Sequence, residues 1–345
     1  MRRWMFIYFP KPGVEWKEPT KEQWLDRCRE TVGRPDLPIE ILDISRWNIN
    51  EIVAEYYSEG NIFCLGDAVH RHPPFNGLGS NTCVQDAFNL AWKIKYVMQG
   101  FAGPKLLETY SKERQPVGVG VITRANQGIR DHVPVWQAMG LMEETPEQRM
   151  KVFKLLESAT PEGRKRREVL NAAIEGTSHE FHGIGVEMNH RYDSGAVLVQ
   201  DETAGRREPP EWPEDAVLYH KVSTYPGCRL PHAWLNTRMP TKDHVSTIDL
   251  AGHGTFCLLT GIGGEKWKQA AELMSKKFGV LINSYSIGWN QDFEDVYRDW
   301  GRRREVEEDG CVLIRPDRFV CWRSMEVADD CEARLEEVLT QVLGR

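Results

Sequence analysis

No apolar run in this chain approaches the roughly 18 residues that a membrane-spanning helix needs, so no membrane partner is expected. The N-terminus, MRRWMFIYFPKPG, has a basic start, but its apolar run is about six residues long. It meets Pro10 and Pro12 short of the roughly 7–15 residues of a signal-peptide core. It reads instead as a strand with WMFIYF buried. Positive charge is not in excess either. The net charge is −7, which argues against nucleic acid or an anionic membrane surface as partner. The basic runs Arg164 to Arg167 and Arg302 to Arg304 sit beside acidic residues and read as solvated helix faces.

Cysteine offers no chemistry by spacing. The eight cysteines form no CxxC, and none stands at metal-ligand distance from a histidine. The expectation is a reduced, cytoplasmic protein without a structural metal, in which Cys64 and Cys257 serve as small core hydrophobes. A dinucleotide fingerprint, GxGxxG, is also missing. GIGG at 261–264 lacks a third glycine at the right distance, and GVGV at 118–121 has no strand before it.

The 345 residues suffice for about two domains, and 41% hydrophobic with 28% charged residues is ordinary for a globular protein. IEILDI reads as a strand, IVAEYY as a short irregular or helical piece and NIFCLG as a fully buried strand. CVQDAFNLAWKIKYVMQG spaces Val84, Ala87, Phe88, Ala91, Ile94 and Lys95 at helical intervals as one amphipathic helix and stops at Gly100. A second long helix follows Gly103-Pro104, with a bend expected at Pro116. Two Thr-Pro-Glu openings, at 145 and 160, each start a helix with a Thr cap and proline in the first turn.

IGVEMNHRYDSGAVLVQ reads as strand material, and the proline- and charge-rich stretch 201–216 as a linker. The expected division is 1–200, linker 201–216, and 217–345. Within the last part, STIDLAG and GTFCLLTG read as strands, EKWKQAAELMSKKFG as a helix and VLINSYSIG as a strand. GCVLIRPDRFVCWR reads as a hairpin and DDCEARLEEVLTQVLGR as a closing helix, an α/β pattern of thioredoxin size.

The stretch GDAVHRHPPFNGLGSN, 66–81, carries the chemistry. Gly66 lets the backbone turn at a strand end and presents Asp67, whose carboxylate accepts hydrogen bonds from hydroxyls of a polyol or ribose. Pro73 and Pro74 are expected to fix an extended backbone with free carbonyls. Gly77 and Gly79 permit close backbone approach, and a helix beginning near Asn81, with Ser80 just before it, aims unpaired N–H groups at a partly negative ligand atom. His70 and His72 read as loop histidines bonded to their neighbours, and Trp92 as core. Arg71 faces either the cofactor or solvent.

This stretch, with WNINEIVAEYYSEGNIFCLGD before it, resembles the second FAD-binding motif of class A flavin-dependent aromatic hydroxylases, in the phenol and dichlorophenol hydroxylase branch. The resemblance implies that Asp67 binds hydroxyls on the ribityl or diphosphate side, and that the backbone of Gly77 to Asn81 holds the pyrimidine end of the flavin. It implies that Pro74 lines the cavity between flavin and aromatic substrate, while Asp86 and Asn89 brace helix and loop.

YPGCRLPHAWL at 225–235 resembles the block preceding that family's C-terminal domain. STIDLAGHGTFCLLTGIGGEKW and CVLIRPDRFVCWR resemble its thioredoxin-like domain, with Arg318 where the branch has glycine. His232 packs either on the flavin part or on Trp234.

The implied fold is α/β with α+β elements, an incomplete FAD/NAD(P)-binding domain followed by a thioredoxin-like domain. The implied activity is hydroxylation of a phenol-like ring with FAD, NAD(P)H and O2. Because GxGxxG and the family's phenol-activating side chains are not in this sequence, a truncated or split form is expected. A homodimer or an upstream partner chain would then be the partner. The alternative is an inactive remnant or flavin-free scaffold. No catalytic residue is named.

Overall fold

The computed structural model describes residues 3–8, 15, 17–46, 48–239 and 243–345. The chain divides into two compact units, Met1–Ile49 and Asn50–Arg345. In the first, helix α1 (Lys21–Val32) begins at a capping box in which Thr20 and Gln23 satisfy each other's backbone N–H groups, and it ends at Gly33 in the left-handed region. The expected N-terminal strand does not form over Trp4 to Tyr8, which are exposed, and Phe9, Pro10 and Pro12 lie outside the described residues. IEILDI also lacks regular structure; neither segment has a strand neighbour among the described residues to hydrogen-bond it.

The second unit opens with four two-residue strands: β1 (Ile52–Val53), β2 (Ser58–Glu59), β3 (Ile62–Phe63) and β4 (His70–Arg71). They pair antiparallel as β1 with β4 and β2 with β3. NIFCLG is therefore not a fully buried strand. β2 is the only strand beside β3 among the described residues, Ile62 is 70% exposed and Cys64 is exposed.

Long helices follow: α2 (Leu78–Met98), α3 (Lys105–Ala138), α4 (Pro146–Glu157) and α5 (Pro161–Gly176). α3 runs through Pro116 unbroken. Thr145 and Thr160 cap α4 and α5 as their Thr-Pro-Glu openings lead one to expect. The basic run on α5 is not simply a solvated face. Arg166 donates to the carbonyls of Ala138 and Gln137 at the end of α3, and Arg167 to those of Leu156 and Ser158 at the end of α4.

Short helices α6 (Ser178–Phe181), α7 (Ile184–Met188) and α8 (Gln200–Ala204) follow; of the expected strand material at 184–200, the first part is α7 and none is strand. In the linker stretch, Glu202 is buried, accepting from Arg323 at 2.9 and 3.0 Å.

The remaining elements are β5 (Trp234–Asn236), β6 (Val245–Ser246), α9 (Thr247–Leu250), β7 (Phe256–Thr260), α10 (Glu265–Phe278), β8 (Ile282–Ser286), β9 (Glu294–Asp295), α11 (Asp299–Arg303), β10 (Cys311–Ile314), β11 (Val320–Ser324) and α12 (Cys331–Val342). STIDLAG is thus mostly the short helix α9, because Ser246 caps it in a box with Asp249. β7, α10 and β8 form a parallel βαβ unit, and the β10–β11 hairpin joins β7 antiparallel to give the order β11-β10-β7-β8. That is the thioredoxin-like arrangement the sequence suggested.

Alternation along these strands fills two cores. Phe256, Leu258 and Leu313 point to α10 and α12, and Cys257, Leu259, Val312 and Ile314 to the opposite face. Trp92 and Tyr96 of α2 belong to the first core, so the cofactor-motif helix and the C-terminal sheet share packing.

The face of α2 assigned to the core from its apolar spacing is the outer one. Val84 is 68% and Phe88 44% exposed, and Ala87 and Ala91 are exposed. The buried face carries Asp86, Asn89, Leu90, Trp92 and Lys93. Periodicity found the helix but not its orientation, because the inward Asp86, Asn89 and Lys93 are hydrogen-bonded and so tolerate burial.

Candidate flavin site

Gly66 is buried at φ +60, and a Cβ there would stand 2.8 Å from Cys83 Sγ; both the turn and the close approach require glycine. The turn is held from α2. Gly66 N–H donates to Asp86 Oδ2 at 3.2 Å, His70 Nε2 lies 2.8 Å from the same oxygen, and Arg114 Nε donates to Asp86 Oδ1 at 2.7 Å. Burial opposes the Asp86 charge, but the His70 hydrogen bond and the Arg114 guanidinium hold its carboxyl below the usual range. Arg114 also donates to the Tyr192 hydroxyl at 3.1 Å. His70 is thus a bracing residue, but not a loop one: it lies buried in β4 and its partner stands 16 positions on, in α2.

Asp67, next in the turn, is exposed, and Arg71 Nε folds back to its carbonyl oxygen at 3.0 Å. Cys83 Sγ, in the second turn of α2, lies against this turn, and burial, then the charges of Asp67 and Asp86, push its thiol up. Pro74 is exposed but not extended. Its ψ of 12° starts a tight turn over Phe75–Gly77, and the Pro73 carbonyl lies 2.7 Å from His72 Nδ1 and is not free.

Gly77, at φ +63, is the N-cap of α2. The helix starts at Leu78, three positions before Asn81, and no side chain caps it. Its first N–H groups therefore open beside exposed Gly77 and Ser80 and half-buried Gly79. Asn81 Nδ2 turns back to the Gly77 carbonyl at 2.9 Å. An uncapped helix terminus, a glycine turn without Cβ atoms and an exposed carboxylate at the neighbouring turn fit a ligand with hydroxyls and a polar carbonyl edge.

A second buried network ties this helix to the C-terminal sheet. Glu113 of α3 accepts from Lys93 Nζ (2.7 Å), Asn89 Nδ2 (2.7 Å), Ser194 Oγ (2.6 Å) and both terminal nitrogens of Arg315 (2.6 and 2.8 Å). Burial disfavours the Glu113 charge, yet Arg315 and Lys93 hold its carboxyl well below the ordinary value. Burial pushes the Lys93 ammonium down to about 8 against the pull of Glu113. Asn89 is the second brace expected from the motif, reaching Asp317 as well at 3.2 Å.

Beside the motif lies a cavity of about 360 Å³ lined by Asn76, Leu78, Glu180, Phe181, His182 and Ile184 among others. The sequence reading missed Asn76, His132 and Glu180. An Asn before Gly in a tight turn is a signal for a left-handed residue, but nothing local marks His132 or Glu180. His232 packs edge-on against Trp234 at 4.7 Å, the plainer of its two readings. Arg318 occupies the left-handed region at φ +67, the conformation that suits glycine at this turn, and donates to the Ala251 carbonyl.

Two family models match: "FAD binding domain" over residues 1–125 and "Aromatic-ring hydroxylase, C-terminal" over residues 223–345. Among curated relatives, 2,4-dichlorophenol 6-monooxygenase of Delftia acidovorans is 44% identical over 91% of this chain and 52% of its own length. Phenol 2-monooxygenase of Pseudomonas sp. (strain EST1001) is 40% identical over 98% of this chain and 56% of its own. The solved structure of the flavin-dependent monooxygenase PieE in complex with FAD and substrate superposes with a TM-score of 0.86 at 39% identity, covering 97% of this chain and 56% of that one. The chain spans about half the length of the relatives it matches.

Proposed function

For a chain that belongs to the class A flavin-dependent aromatic-ring hydroxylases, we propose that residues 66–81 form one side of an FAD site serving hydroxylation of a phenol-like ring. The carrying observation is the Gly66–Asp67 turn held by Asp86 against the uncapped start of α2.

Asp67 accepts hydrogen bonds from ribityl or ribose hydroxyls. The N–H groups at Gly79 and Ser80, with Gly77 and Asn81 around them, face the pyrimidine carbonyl edge, and Gly66 sets the approach. Pro74 separates the ring system from the aromatic substrate. Bound FAD supplies the redox chemistry, accepting hydride from NAD(P)H and delivering one oxygen of O2 to the ring. The protein's part is to orient that cofactor and keep water from it.

The division into 1–200, the 201–216 linker and 217–345 is part of this reading, supported by the C-terminal family match beginning at 223. So is a split arrangement in which an upstream partner chain contributes the pyrophosphate contacts, and association of the chain as a homodimer is its alternative. Among the described residues, no helix is long and apolar enough to cross a membrane.

Titrating the purified chain with FAD, followed by flavin absorbance and fluorescence quenching, tests the site. We expect saturable binding that Asp67→Ala weakens by about tenfold, the loss of one hydrogen bond of about 1.4 kcal/mol. NAD(P)H oxidation coupled to catechol formation from phenol and chlorinated phenols tests the activity. A chain that never binds FAD overturns the reading.

A further inference from the structure

Residues from the motif loop, from α3 and from α6 close a ring around Asn76. Asn76 has φ +64, a left-handed conformation that a non-glycine residue keeps only when its surroundings impose it. Its side-chain Nδ2 donates to the His179 carbonyl at 3.1 Å, and its backbone N–H donates to Glu180 Oε1 at 3.4 Å. Glu180 Oε2 lies 3.2 Å from His132 Nε2, and His132 Nδ1 lies 2.9 Å from the Gly128 carbonyl one helical turn earlier.

The His132 ring packs 5.6 Å from Phe75. Gly128 completes the ring: a Cβ there would stand 2.6 Å from Asn76 Oδ1 and 3.3 Å from Phe75 Cβ. Gly128 and His132 are four apart and share one face of α3, so the same helix face makes room for the loop and grips it.

Both His132 nitrogens face oxygens, one of a carbonyl and one of a carboxylate. The imidazole is thereby fixed between the Gly128 carbonyl on its own helix and the Glu180 carboxylate on α6. The Glu180 side chain is 13% exposed, so this pair is shielded from screening water. Asn76 and Glu180 also form part of the cavity wall, so the grip fixes the boundary between loop and cavity.

We propose that Glu180 and His132 are positioning residues that hold Asn76, and through it the loop from Pro73 to Leu78, in the shape the flavin ring needs. The inference rests on the flavin reading above. Neither residue is assigned contact with the reacting atoms; both act through Asn76.

Amide hydrogen exchange at residues 75–79 tests the grip without reference to activity. Glu180→Ala is expected to raise exchange there roughly tenfold, and Glu180→Gln by less, since its amide oxygen still accepts from Asn76 N–H. His132→Phe keeps the contact with Phe75 but loses the contact with Glu180, and should fall between them. FAD affinity of the same variants should weaken in the same order, with Tm within about 2 °C of the parent.

Unchanged exchange at 75–79 alongside a lowered Tm would make the ring a packing contact and overturn the proposal. Raised exchange with FAD affinity intact would overturn it as well. If the parent chain never binds FAD, the flavin reading fails, while the exchange measurement still decides whether Glu180 and His132 hold the loop.

Discussion

Arg315, at the turn after β10, chelates Glu113 of α3 across 202 positions of sequence, Nη1 to Oε1 at 2.6 Å and Nη2 to Oε2 at 2.8 Å, with both side chains fully buried. The C-terminal sheet is thereby fastened to the helices that carry the cofactor motif, and the same carboxylate accepts from Lys93 on α2.

Removing one partner of such a pair leaves the other buried and undercompensated. Arg315→Met is expected to cost about 3–5 kcal/mol in denaturant unfolding. Lys276→Ala, which breaks the exposed pair with Glu272, should change stability by less than about 0.5 kcal/mol. Equal effects would show that the buried network contributes nothing special.

Gly66→Ala forces a Cβ toward Cys83 Sγ and a non-glycine residue into φ +60. It should destabilise by about 1–3 kcal/mol and weaken FAD binding. Adding Cys83→Ala should recover the steric part only. Complete recovery in the double variant would mean that the backbone conformation costs nothing.

Acid should weaken the protein through His190. Burial, then the charges of Arg114 and Arg229, push its imidazole down to about 3. Between the ordinary value of 6.5 and about 3, the unfolded chain binds a proton that the folded one refuses, so stability is lost as pH falls through that window. His190→Gln should flatten the dependence of Tm on pH there. An unaltered slope would remove His190 as a cause.

The outer face of α2 gives a prediction opposite in sense to its apolar pattern. Phe88→Lys, at a site 44% exposed, should leave Tm of this chain unchanged within the equivalent of about 0.5 kcal/mol. It should also lower binding of a hydrophobic dye, since Val84 and Phe88 form part of an exposed apolar face. A large loss of stability would place Phe88 in a core.

Legibility varied with how local each signal was. The Thr-Pro-Glu helix starts, the glycine stop after α2 and the β10–β11 hairpin follow from capping and turn chemistry within a few residues, and all are present. NIFCLG failed because an apolar run states a preference for burial without supplying the neighbour that buries it. Residues 184–199 formed no strand because strand identity depends on a hydrogen-bonding partner, and there the short helix α7 forms instead. At the candidate site, Asp86 and Asn89 were legible as braces, but not their partners Arg114, Glu113 and Asp317, which lie far off in sequence.

The sequence by itself determined the chemistry available at residues 66–81: a carboxylate after a glycine turn, then a proline-glycine loop leading into a helix. Those features depend on backbone conformations that only certain residues adopt, so composition and spacing reveal them. Only the tertiary structure decided which face of α2 turns inward, that His70 and Arg114 converge on Asp86, and that Glu180 and His132 close on Asn76. Each of these rests on groups brought together by packing, where burial makes an unpaired charge costly and so dictates which distant partners must meet.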